Sequence, residues 1–155
     1  VKRVFIGPVL LSVSFLGCQP NYGQPEVFQV DPIFNDAQMA IMRQEADVLC
    51  DATDGERCFE LTRSSSPHDI TTNSHYAWKV TAVANAHQDG GTTETDIWFQ
   101  YPKSIPDEKL RLTIRHEFGH TAGCWGHLPP GNVMAAWMHE QAKDWTAADI
   151  DCILG

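Results

Sequence analysis

The chain is short of positive charge. Lys and Arg number 11 against 20 Asp and Glu, giving a formal net charge of −9. So acidic a chain repels nucleic acid and anionic membrane, which argues against both as partners. It also lacks any Cys-x-x-Cys pair, so its cysteines do not read as metal ligands. Repeats, low-complexity tracts and a second domain are missing as well. What is there amounts to 155 residues, 43% of them hydrophobic and 20% charged. That is enough for one globular domain with a real core.

Long apolar runs are missing too, with one exception. After Lys2 and Arg3, Val4 to Leu16 forms an apolar run of 13 residues. It is too short to span a bilayer as a helix and has the size of a signal-peptide core. The run ends in Phe15-Leu16-Gly17-Cys18, which resembles a bacterial lipobox, with Phe15 where Leu is usual. The expected organisation is a lipoprotein-type signal peptide over 1–17, a tether over 18–33 and a folded domain over 34–155. Cys18 is the expected lipidation site. The protein is then exported, and either lipid-anchored in a bacterial envelope or secreted. The remaining cysteines, Cys50, Cys58, Cys124 and Cys152, allow two disulfides in three connectivities. Cys50 and Cys58 are close enough in sequence for a local bridge, which would leave Cys124 to pair with Cys152.

Residues 19–33 are rich in Pro, Gly, Gln and Asn and read as tether or loop. Asn35 or Asp36 can cap a helix to about Leu49. Arg57–Thr62, Tyr76–Ala84 and Thr93–Tyr101 read as strands, Ser64–Asn73 as loop and Asp89-Gly90-Gly91 as a turn. Pro106-Asp107-Glu108 opens a second helix with acidic residues where the helix dipole favours them, and Gly123 is placed to end it. Thr146 caps a last helix, Ala147–Leu154. Strands and helices mix without strict alternation, so the expected class is α+β.

The strongest signal is His116-Glu117-Phe118-Gly119-His120. Histidines four apart on a helix project from one face, about 6 Å apart, and can share one Zn²⁺. Glu117 then sits beside the metal rather than on it, placed to take a proton from water whose pKa the metal lowers. The pattern lies in an apolar-periodic segment with Leu110, Leu112, Ile114 and Phe118. It also continues: Gly123 can turn the chain, His127 can return to the metal, and Met134 follows in Asn132-Val133-Met134-Ala135.

In this continuation the sequence resembles the metzincin clan, whose signature is H-E-x-x-H-x-x-G-x-x-H followed by a Met-turn. The resemblance implies a metzincin-like catalytic domain with a small twisted mixed sheet, an active-site helix and a C-terminal helix. It implies His116, His120 and His127 as zinc ligands, Glu117 as general base and Met134 as the apolar floor under the metal. Thr93–Phe99 resembles the edge strand that binds extended substrate, which would make Thr95, Asp96, Ile97 and Trp98 substrate-binding. Ala135, Ala136 and Trp137 would shape the pocket for the side chain after the scissile bond. Trp145 to Ile153 resembles the last helix of matrixin-type domains. One departure stands out: Cys124, Trp125 and Gly126 separate Gly123 from His127, where the clan has two residues. No Tyr follows Met134 closely, so the phenolic group of some members is missing.

The expected function is that of a monomeric zinc endopeptidase acting on peptides or proteins, with membrane contact only through the lipid. The alternative is a non-catalytic peptide- or metal-binding lipoprotein on the same scaffold. Glu140 is a rival third ligand, because His139-Glu140 faintly resembles the second motif of gluzincin peptidases; it reads better as a surface carboxylate. His68, His75, His87 and His139 read as surface histidines. A second Zn²⁺ on His75 and His87, or Ca²⁺ at Asp89-Gly90-Gly91, has little support.

Overall fold

The computed structural model describes residues 25–72, 82–89, 92–99 and 104–155. The leader, Cys18, His75 and the first part of the expected Tyr76–Ala84 strand lie outside them, as does the side chain of His87. The elements are β1 (Glu26–Val30), α1 (Asp36–Ala52), β2 (Phe59–Thr62), β3 (His68–Thr72), β4 (Ala82–Asp89), β5 (Thr92–Phe99), α2 (Asp107–Thr121) and α3 (Ala147–Leu154). The five strands form one sheet in the order β2-β1-β3-β5-β4. The first four neighbours are parallel, and β4 runs antiparallel to β5. The fold is therefore α+β with a mixed sheet, as expected.

Two strands lie where loop was expected. β1 falls within the supposed tether and is paired on both sides, with β2 and β3. Its Phe28 and Val30 are fully buried, so the domain begins before residue 34. β3 falls within the polar Ser64–Asn73 stretch and buries Ile70 between β1 and β5. A third correction concerns the edge. β5 pairs with β4 along its length and with β3 through Ile97, Trp98 and Phe99. Ile97 is fully buried, and Thr95, Asp96, Ile97 and Trp98 do not lie on an edge strand as expected: β5 is an inner strand, with β3 on one side and β4 on the other. The edge on that side is β4, which is in contact with α2. The register brings Asp89 opposite Thr92; the Gly90-Gly91 part of the expected turn lies outside the described residues.

Local signals explain the helices. Asn35 caps α1 in a capping box: its side chain accepts from the Gln38 amide, and Gln38 accepts from the Asn35 amide. Met42, Ala46 and Leu49 of α1 meet Leu110, Ile114 and Phe118 of α2 in the core, over Phe28, Ile70, Ile97 and Phe99 of the sheet. Phe118 lies 5.1 Å from Phe59 and 6.3 Å from Phe28, ring centre to ring centre. The helix that carries the two histidines is thus seated on β1 and β2 by aromatic packing.

A buried charge cluster fixes the same helix from another side. Glu45 of α1, almost fully buried, receives Arg115 at 2.6 Å and Arg111 at 3.0 Å. Arg115 directly precedes His116. The Cys50–Cys58 bridge joins the end of α1 to the start of β2, and Cys124–Cys152 joins the loop after α2 to α3. Both pairings agree with the sequence reading.

Candidate metal centre

α2 stops where the sequence says it must. Ala122 is the C-cap, and Gly123 has φ +130°, a conformation open to glycine. The Gly123 amide donates to the His120 carbonyl at 3.1 Å, and the Cys124 amide to the Gly119 carbonyl at 3.0 Å. That pair of bonds is a Schellman motif. A Cβ on Gly123 would also meet the Ile153 carbonyl of α3 at 2.9 Å. Arg57 donates to the Ala122 carbonyl at 3.0 Å, placing a cation at the negative helix end.

Beyond this stop the chain swings His127 back. The rings of His116 and His120 lie 4.6 Å apart, and His127 lies 5.3 Å and 5.1 Å from them. One nitrogen from each falls within 4.8 Å of the other two. The three expected ligands come together, and they are the only such group among the described residues. The extra residue before His127 does not prevent this. Cys124 is buried and bridged, while Trp125 is 59% exposed and nothing crowds Gly126. The added length is absorbed in the open Trp125-Gly126 segment. Glu140 stays outside the group, its side chain 4.0 Å from His139.

Hydrogen bonds select the ring nitrogens. Nδ1 of His116 lies 2.9 Å from the Val133 carbonyl, and Nδ1 of His120 lies 2.7 Å from the Cys124 carbonyl. A carbonyl only accepts, so each Nδ1 carries the hydrogen and each Nε2 is left bare. Burial pushes the pKa of His116 down to about 4; the Val133 bond opposes the shift, and His120 and His127 add to it. His120 is lowered too, first by burial and further by His127. Both rings are neutral bases at pH 7, the form that binds metal.

Met134 packs against α2 at Gly119, between the two helical histidines in sequence. It is fully buried, and a Cβ on Gly119 would collide with its sulfur. Gly119 thus lets Met134 approach α2 between the two ligand turns. The segment around Met134 is held by Asp149, which the sequence reading missed. Asp149 is fully buried and accepts from the amides of Val133 and Met134, each at 3.0 Å, and from the Thr146 amide at 2.9 Å. Thr146-x-x-Asp149 signals a capping box, but nothing local announces the two amides across the chain. Ala135 is buried, whereas Ala136 is exposed and Trp137 is 64% exposed. Glu117 is buried on α2 beside His116 and does not join the ligand group.

Three imidazoles, two of them with their tautomers fixed by carbonyls, form a donor set that suits Zn²⁺ and related first-row ions. The group can therefore hold a metal ion. No family model matches the chain, and no curated protein matches it.

Proposed function

We propose that the protein is a zinc-dependent endopeptidase of the metzincin type. The convergence of His116, His120 and His127, with Met134 packed against Gly119 of the same helix and Glu117 next to His116, carries this reading. His116 and His120, with His127, would hold Zn²⁺ through their free ring nitrogens. When bound, Zn²⁺ supplies a Lewis acid that polarises a carbonyl and acidifies water. Glu117 takes the proton from the attacking water and delivers it to the leaving amine. The buried surroundings of Glu117 keep competing solvent from that carboxylate.

Extended substrate would lie along β4, the edge strand in contact with α2. Exposed Trp137 and Trp125 offer apolar surface on the two loops that carry Met134 and His127. Two disulfides and the absence of a membrane-spanning helix among the described residues fit an exported protein, anchored through Cys18 if the lipobox is used. Glu117→Ala tests the mechanism. Peptide cleavage falls by about 10²–10⁴-fold or more, while zinc content stays at the wild-type level. Cleavage at the wild-type rate by purified Glu117→Ala removes the mechanism. Zinc binding by a wild-type protein that cleaves no peptide in a diverse library would instead support the non-catalytic reading.

A further inference from the structure

Resting on the reading of the three histidines as metal ligands, we infer that Gln141 is a positioning residue of this site. Its side-chain carbonyl takes a second hydrogen bond from Nδ1–H of His116 and thereby fixes which nitrogen of that ring faces the metal.

The observation is a conflict between donors. Gln141 Nε2 lies 3.0 Å from His116 Nδ1, and Gln141 Oε1 is buried with no hydrogen-bond partner. The same Nδ1 is 2.9 Å from the Val133 carbonyl. That carbonyl can only accept, so Nδ1 carries a hydrogen and cannot accept from an amide N–H. Two donors would then face each other. The oxygen and nitrogen of an amide have almost the same shape, so their assignment follows the hydrogen-bond network. Turning the amide end over sets Oε1 opposite Nδ1–H at the same distance. It gives up one long contact, 3.4 Å to the Ala135 carbonyl, and places Nε2 where Oε1 had no partner, in exchange for removing the clash of two donors at Nδ1. Nδ1–H is then shared by two acceptors, Val133 and Gln141.

The reverse arrangement fails on both counts. A bare Nδ1 accepting from Gln141 leaves the Val133 carbonyl without its donor. It also puts a hydrogen on Nε2, which then has no lone pair to offer a metal. His116 is 7% exposed, so water has little access to settle the ring instead.

Gln141 is also held where it can do this. It follows the short 3-10 turn Met138–Glu140. The backbone on either side is tied to the turn that carries Val133: Gly131 donates to the Glu140 carbonyl at 2.8 Å, and Ala142 donates to the Asn132 carbonyl at 3.0 Å. Both acceptors for His116 Nδ1 therefore move as one unit.

The test compares zinc affinity, by chelator competition, in the full chain and two variants. Gln141→Met fills the space without an acceptor, and its zinc affinity falls about 10–100-fold, the usual cost of losing an outer partner of a ligand histidine. Gln141→Glu can only accept, and it binds zinc as tightly as wild type or more so. Wild-type affinity in Gln141→Met, or an equal loss in both variants, overturns the inference and leaves the metal site standing. A wild type that binds no zinc removes the site itself. Nitrogen-detected imidazole NMR of the metal-free wild type supplies a reading that needs no variant to fold. His116 protonated on Nδ1 is the expected result, and His116 protonated on Nε2 refutes the inference.

Discussion

His116 and His120 reach the candidate metal centre by one route and His127 by another. The helical pair is placed by spacing: four residues on α2 suffice, given a helix seated on Phe28 and Phe59 and pinned through Arg115 to Glu45. His127 has no such support. Its position depends on a glycine stop, a disulfide and contact with α3, the last two of which involve residues distant in sequence. Burial follows the same division, from His116 inside to His127 at the surface. A ligand on a regular element is fixed by local geometry, whereas one on a loop is only as well placed as the ties that hold the loop.

The largest break in this comparison comes from removing ligands of the two kinds. His120→Ala loses stoichiometric zinc altogether. His127→Ala binds zinc measurably but weakly, since water can replace an exposed ligand. Metal analysis and chelator competition on the two proteins read the difference, and equal affinities would erase the distinction between helix and loop.

The two disulfides give the next largest effect. Replacing Cys124 and Cys152 by Ala opens a bridge of sequence separation 28 and costs about 3–4 kcal/mol. Replacing Cys50 and Cys58 opens one of separation 8 and costs about 2–3 kcal/mol. The sharper contrast is in zinc affinity. It drops in the first variant, where the loop of His127 is released and the Cys124 carbonyl no longer steadies His120. It drops less in the second, whose bridge reaches α2 only through the neighbouring Arg57 and Phe59. Denaturant unfolding and zinc competition on both variants check the two halves of the claim.

The smallest effect concerns protons. An unfolded histidine titrates near 6.5, and His116 in the fold titrates near 4. Between those values the unfolded chain binds a proton that the folded chain refuses. Stability of the metal-free protein therefore falls as pH drops from about 6.5 to about 4 and levels off below, by at most about 3 kcal/mol from this ring. The excess loss in wild type over His116→Gln, from urea midpoints across that range, measures it. A parallel pH profile in the two proteins would contradict the buried, neutral state of His116.

Sequence and structure agree where the signal is local. Asn35 with Gln38, Pro106-Asp107-Glu108 and Thr146 each mark a helix start through contacts within one turn. The ligand pair on α2 was legible for the same reason. β1 and β3 were not. Glu-Val-Phe-Gln-Val is five residues in a stretch dominated by turn formers, and His-Asp-Ile-Thr-Thr buries only Ile70. Both are strands because neighbours from other parts of the chain pair with them on each side. The misplaced edge has the same origin, since strand order is decided by non-local pairing and β5 carries no mark of its neighbours. Asp149 and Gln141 went unnoticed because no spacing rule links either to His116; only the folded path of Val133 does.

The graded burial of the three rings also bears on how quickly a bound ion can leave. His116 and His120 are locked from behind by carbonyls, while His127 faces solvent beside the unconstrained Gly126. For an ion held there, exchange would begin with that single arm. A chelator would take the ion as the His127 loop swings out, at a rate set by loop motion and not by global unfolding, and exchange rates that track global unfolding would refute this. Occupancy and turnover of the ion would then be separate properties, the first held by the helix and the second by the loop.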